Sequence, residues 1–266
     1  RERGVRTPVT VVPTGVDTQF FRSGDGASFR QRYGIPEYVP VVGHLGRLAP
    51  EKNLAYLAES IVRVVRENPQ VRFLVAGEGP SKNEIVDIFR REGVENNLVM
   101  PGKLTGKALS NAYAAMDLFV FSSKSETQGM VLAEAMAAGV PVVALDASGV
   151  REVLADGENG RLLDEDADQN RFASETLKIL SDEQRFTHFR TNAFETGKVF
   201  DRKQCAKTLY ELYETTISEK PSGIKRSLLE PWEAILMAIQ TEWDLFAEKA
   251  KAVAHVVRKN GKGKSS

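Results

Sequence analysis

Short runs of consecutive apolar residues alternate along the chain with longer stretches in which apolar positions recur every three or four residues. The runs are Val9-Thr10-Val11-Val12, Pro40-Val41-Val42-Gly43-His44-Leu45, Val71-Arg72-Phe73-Leu74-Val75-Ala76, Asn97-Leu98-Val99-Met100, Leu118-Phe119-Val120-Phe121 and Pro141-Val142-Val143-Ala144-Leu145. Several are apolar at successive positions, as strands buried on both faces must be. The recurring stretches, near 51–67, 82–92, 107–116 and 129–138, read as helices. Strand, helix, strand in repetition predicts an α/β fold, a parallel sheet with helices on both faces. The punctuation agrees. Ala138-Gly139-Val140-Pro141 places Gly just past a helix and Pro at the start of a strand, and Asn68-Pro69 closes the helix before it.

From about 171 to 217 the pattern is helical only. The stretch 218–224 has the composition of a linker, and 225–266 reads as one long amphipathic helix ending in a basic tail. Within it Trp232, Leu236, Ile239, Trp243, Phe246, Ala250, Val253 and Val257 alternate spacings of four and three, a narrow seam at heptad period. Such a seam serves packing on another domain, self-association or peripheral membrane contact; two tryptophans and a basic end suit the last, whereas Glu230, Glu233, Glu242, Asp244 and Glu248 oppose strong attraction to anionic lipid.

Composition narrows the function classes. The 266 residues carry 36 Lys+Arg against 36 Asp+Glu, so no bulk positive field draws nucleic acid. Hydrophobic residues at 42% and charged residues at 27% exclude wholesale disorder. A lone Cys205 rules out a disulfide framework and a Cys-ligated zinc site, and His44, His188 and His255 are too scattered to suggest a metal centre. No run of eighteen apolar residues is present and no signal peptide opens the chain, which points to a cytoplasmic location. The chain starts at Arg1 without an initiator Met and reads as a piece that begins mid-protein.

Two constellations sit where strands give way to helices, the edge at which open α/β sheets bind ligands. In the first, Gly43-His44-Leu45-Gly46-Arg47-Leu48-Ala49-Pro50-Glu51-Lys52-Asn53, Gly46 lets backbone approach a ligand closely, and Arg47 and Lys52 converge on one anion as a planar fork and a point charge. The same spacing fits two solvated cations at a loop, one of them paired with Glu51. In the second, Ser122-Ser123-Lys124-Ser125-Glu126-Thr127-Gln128-Gly129-Met130-Val131-Leu132-Ala133-Glu134, the free N–H groups of Gly129, Met130 and Val131 form a helix N-terminus suited to an anion. Glu126 and Glu134, eight apart, reach different parts of a ligand, and a carboxylate accepts two hydrogen bonds from vicinal hydroxyls. Gly77-Glu78-Gly79-Pro80 and Pro101-Gly102-Lys103-Leu104 follow two other strands and fit either ligand contacts or plain turns. Asp164-Glu165-Asp166-Ala167-Asp168 precedes a helical stretch, where acidic residues offset the helix dipole rather than bind metal.

Gly46-Arg47 with Lys52, Gly77-Glu78-Gly79-Pro80 and Glu126 with Glu134, in this order and spacing over roughly 5–217, resemble family 4 retaining glycosyltransferases of the GT-B fold, built on Rossmann-like domains. Val12-Pro13-Thr14-Gly15-Val16-Asp17 is similar to the strand entering that family's C-terminal domain, and Ser125 to Val131 resembles bacterial lipid glucosyltransferases. The resemblance implies a donor nucleotide-sugar domain over 1–217 and roles for its residues. Arg47 and Lys52 bind the donor diphosphate; Glu126 meets the sugar hydroxyls with the amides of Gly129 and Met130. Glu134 holds the ribose hydroxyls, and backbone near Lys103 and Leu104 reads the base. It implies a hexose donor such as UDP-glucose, no metal, and an acceptor domain preceding this one, without which transfer is not expected. A non-catalytic nucleotide-sugar-binding subunit fits the same residues.

Overall fold

A computed structural model describes residues 9–218. The chain opens with α1 (Thr18–Arg22) and α2 (Gly26–Arg32), then runs β1 (Val41–Leu45), α3 (Leu54–Glu67), β2 (Arg72–Ala76), α4 (Lys82–Arg91), β3 (Leu98–Gly102), α5 (Lys107–Ala114), β4 (Leu118–Phe121), α6 (Met130–Ala137) and β5 (Val142–Leu145). It closes with α7 (Ser148–Arg151), β6 (Gly160–Leu163), α8 (Gln169–Ser181), α9 (Glu183–Val199) and α10 (Arg202–Ser218). The six strands pair in parallel in the order β3-β2-β1-β4-β5-β6. This is the Rossmann-like α/β architecture that the alternation predicts. Contacts divide the chain at Glu211 and Leu212; the sheet lies wholly within the first unit.

Every residue of β1, β4 and β5 is buried because both sheet faces are covered. One face packs Phe119, Phe121, Tyr113, Leu132 and Met136 into a core; the other gathers Leu57, Ile61, Val64, Phe73, Phe89 and Phe172. Full burial of each such aliphatic or aromatic side chain contributes about 1.5–3 kcal/mol. The helix predicted from 51 begins at Leu54 instead, after a 3-10 turn at Pro50–Lys52 and Asn53 at φ 54°. Beyond α6, Gly139 takes φ 76°, the left-handed stop its position called for. The acidic run before α8 supplies its cap, with Asp168 accepting from the Arg171 N–H at 2.7 Å.

Two expectations need correction. Residues 9–12 form no strand: Val9 and Val11 are 70% and 73% exposed, and among the described residues no strand pairs with them. The entering segment keeps one parallel bridge, Val16 to Asp201, in which the Val16 N–H donates to Phe200 O at 2.7 Å and the Arg202 N–H to Val16 O at 2.9 Å. Ser218 closes α10 rather than opening a linker; the rest of 218–224, the seam helix at 225–266 and His255 lie outside the described residues.

Candidate nucleotide-sugar site

The sheet order reverses between β1 and β4: chain leaving β1 moves toward β2, and chain leaving β4 moves toward β5. The crevice beyond the carboxyl ends of these two strands is where ligands of open α/β sheets bind. The segments that follow, 46–53 and 122–129, carry Gly46, Arg47, Lys52, Glu126 and Gly129.

The first loop is laced to the one after β2. Gly46 N–H donates to Ala76 O at 3.1 Å, Leu48 N–H to Glu78 O at 3.0 Å, and Ser81 N–H to Leu48 O at 3.0 Å. The approach leaves no room for side chains on the facing residues. A Cβ on Gly77 would stand 1.8 Å from Gly46 O, and one on Gly79 2.2 Å from Leu48 O. These two glycines thus serve loop-to-loop packing.

The second loop is tied to the first by two fully buried serines. Ser122 Oγ, at 3.0 Å from each, bonds the carbonyls of Lys52 and Asn53; Ser123 Oγ, at the same distance, bonds those of Glu51 and Ser125. From its other side Gly149 N–H donates to Glu126 O at 3.0 Å and Ser148 Oγ to the same oxygen at 3.1 Å. Gly129 takes φ 64°, and a Cβ there would lie 2.5 Å from Gly149 O.

Glu126 anchors this junction. Its Oε1 accepts from the N–H groups of Thr127 at 3.0 Å, Gln128 at 3.4 Å and Gly129 at 3.3 Å, while Oε2 pairs with Lys52 Nζ at 3.1 Å. Burial pushes the Glu126 carboxyl up, but the Lys52 bond and charge with the Gly129 and Gln128 amides outweigh it and hold it below the ordinary carboxylate range. Lys52 Nζ also lies over the Phe121 ring, 5.4 Å from its centroid. An internal carboxylate therefore rests on the amides and cation proposed for an incoming anion.

A cavity of about 430 Å³ opens beside this cluster. Gly46, Arg47, Lys103, Leu104, Val131 and Glu134 line it together with Gly77, Glu78 and Tyr113. Lys52, Glu126, Gly129 and Met130 are absent from its wall: the first three form the anion cluster just described, and Met130 packs against the core. Arg47 is exposed and paired with Glu51, so the two cations of the first motif each hold a different carboxylate. Glu134 accepts from Tyr113 Oη at 2.7 Å. Burial raises the Glu134 carboxyl above its usual range and the Tyr113 bond partly offsets this.

Three features here escape a reading by spacing. Tyr113 lies 21 positions from Glu134, and Ser122 and Ser123 lie about 70 from the first-loop carbonyls they hold. Two adjacent hydroxyls directly after an all-apolar strand are the available signal for the serines. His44 interrupts an apolar run and is buried, its ring stacked 6.0 Å from both Phe119 and Phe121. Its Nδ1 bonds Val120 O at 3.1 Å, and its Nε2 has no partner among the described residues. Burial, with Lys52 adding to it against the Val120 bond, lowers its pKa to about 4.

Residues 26–196 match the family described as glycosyl transferases group 1. The chain belongs to that family. It is 36% identical over 181 residues to a D-inositol 3-phosphate glycosyltransferase of Segniliparus rotundus, covering 66% of this chain and 40% of that protein. It is 35% identical over 172 residues to a GDP-mannose-dependent alpha-mannosyltransferase of Mycolicibacterium smegmatis, covering 65% of this chain and 43% of the relative. The crystal structure of Anabaena HepE with UDP superposes with a TM-score of 0.70 at 26% identity, over 77% of this chain and 57% of HepE; a HepE structure with UDP-glucose gives 0.67 at 28%, over 76% and 57%. The structural neighbours of this group 1 domain are GT-B glycosyltransferases, and the chain spans about half the length of the curated relatives it matches. Among the described residues no helix is long and apolar enough to cross a membrane, and no cluster of three or more potential metal ligands occurs.

Proposed function

We propose that this chain is the donor-binding half of a retaining hexosyltransferase of the family 4 type, that its donor is UDP-glucose, and that its acceptor is a lipid or glycan seated on a preceding domain. The observation that carries the reading is the meeting, at the sheet's reversal point, of a cavity walled by Arg47, Lys103 and Glu134 with an anion cluster built from Lys52, Glu126 and the Gly129 amide. In the bound state Glu126 turns from the amides to the sugar hydroxyls, and Glu134 accepts from the ribose. Backbone at Lys103 and Leu104 faces the base. As the glycosidic bond to the diphosphate breaks, charge grows on the leaving phosphate, and Arg47, Lys52 and the amides of Gly129 and Met130 stabilise it. Those cations and dipoles supply the positive potential, so the reading calls for no metal. No side chain of the site is placed as a nucleophile; the leaving phosphate takes the acceptor hydroxyl's proton on the face the sugar is leaving. The reading also places the protein in the cytoplasm, at the membrane surface when the acceptor is a lipid.

Calorimetry with UDP, UDP-glucose, GDP and GDP-mannose tests it. UDP-glucose is expected to bind, and Arg47→Ala and Lys52→Ala each to weaken UDP by about tenfold, the worth of one charge-assisted bond. Both variants binding like the parent would remove the diphosphate assignment. The chain by itself is expected to transfer little sugar and to gain transfer when the preceding domain is supplied as a separate polypeptide; binding without any such gain favours a non-catalytic nucleotide-sugar subunit.

A further inference from the structure

Tyr113 stands on the last turn of α5, buried completely, with its hydroxyl at the wall of the donor cavity. Its ring is confined from two sides. Phe21 meets it edge-on at 5.4 Å between centroids, and Phe119 lies tilted against it at 5.9 Å. A ring packed this way keeps one orientation, so its hydroxyl has a set place. That hydroxyl donates to Glu134 Oε2 at 2.7 Å; the alternative acceptor, Val131 O, is at 3.5 Å, the outer limit of a hydrogen bond. Glu134 lies on the second turn of α6, half-buried, at the wall of the same cavity. One of its oxygens is thereby committed to the phenol, and the carboxylate plane is set for the other to accept.

The geometry points to Tyr113 as a positioning residue that orients the Glu134 carboxylate toward the vicinal hydroxyls of a ribonucleotide, and so makes the site select ribose over 2-deoxyribose. This rests on the assignment of Glu134 to the ribose under Proposed function. The electrostatics agree with it. Burial drives Glu134 toward its protonated form, which would offer a donor where acceptors are needed; the phenol's bond favours the carboxylate. The other charged groups around the cavity are Arg47 after β1, Glu78 after β2 and Lys103 after β3.

The test measures binding of UDP and 2′-deoxy-UDP, with GDP and 2′-deoxy-GDP in parallel, to the 266-residue chain and to Tyr113→Phe and Glu134→Gln. The parent is expected to favour the ribonucleotide by about tenfold, the value of one hydrogen bond to a charged group. In Tyr113→Phe the ratio falls below about twofold while affinity for the deoxynucleotide changes less than about threefold, because only the hydroxyl's partner has lost its setting. The acid limb of UDP binding also moves to higher pH in this variant. A parent ratio near one, or one that survives Glu134→Gln, overturns the Glu134 assignment and this inference with it. A parent ratio that Glu134→Gln abolishes but Tyr113→Phe retains overturns this inference alone. If Tyr113→Phe melts below the assay temperature, the 13Cζ-tyrosine signal that moves in Glu134→Gln gives the same answer in the parent. It shifts on saturation with UDP and far less with 2′-deoxy-UDP; an unmoved signal overturns the assignment.

Discussion

Replacing Glu126 by Gln should make the site bind UDP more tightly. The carboxylate serves two sides at once, with Oε1 on the amides of Thr127, Gln128 and Gly129 and Oε2 on Lys52 Nζ at 3.1 Å. A glutamine has a single acceptor oxygen and can serve only one of them. Whichever side it abandons, one set of charge-assisted bonds, worth about 1.5–3 kcal/mol, is no longer filled from within. A diphosphate arriving at Glu126→Gln displaces less, and its affinity rises by about tenfold for each 1.4 kcal/mol released. The same change lowers stability, since Lys52 loses its charged partner in a position where its side chain is only 19% exposed. Titration calorimetry of UDP against parent and variant at fixed salt, paired with thermal melts, reads both effects. Because the folded carboxyl titrates below its ordinary range, its hold on Lys52 is complete at neutral pH and fades only as pH falls through that depressed titration. The gap between variant and parent therefore closes in acid. UDP binding to Glu126→Gln at parental affinity or weaker, at pH 7, would refute the idea that the carboxylate competes with the ligand.

Two further outcomes follow from the junction around this site. His44 has a folded pKa of about 4 against 6.5 for the free group, so the unfolded chain takes up the proton first, and stability declines as pH drops from 6.5 toward 4 by about 3 kcal/mol. Urea melts across that window should show a shallower decline for His44→Phe, and an unchanged slope would mean that His44 is not the group responsible. Gly149→Ala would set a Cβ 2.6 Å from Thr127 C and 2.7 Å from Gln128 N, main-chain atoms that cannot yield, so a loss of about 1–3 kcal/mol in melting and weaker UDP binding are expected, and parental values for both would count against the packing described.

The strands and the site segments were legible because their signals are local. Leu118–Phe121 and Val142–Leu145 are apolar at every position, which burial on both faces demands, and the glycines and charges of the two motifs sit immediately after their strands. Short elements were not. The helices Thr18–Arg22 and Gly26–Arg32 each bury a single phenylalanine, Phe21 or Phe29, too little for a period to emerge. The edge strand Gly160–Leu163 buries only its two end residues and opens with Gly160 and Arg161, so no run of apolar or β-branched residues marks it. Val9-Thr10-Val11-Val12 has strand composition but no partner strand among the described residues, and composition alone does not supply one. In the site, the residue types were readable, as was the alternative in which one cation of the first motif pairs with Glu51; the Lys52–Glu126 pair, 74 positions apart, was not. Spacing placed Arg47 and Lys52 together, whereas each spends its charge on a different glutamate, a choice made by the loop contacts through Ser122 and Ser123.

Those serine hydroxyls grip carbonyl oxygens, which any amino acid provides. The main chain of the 3-10 turn is thus gripped through groups that do not depend on the side chain displayed at Glu51. Side chains there can be exchanged, whether by evolution or by design, while the hydroxyl-to-carbonyl joint stays in place.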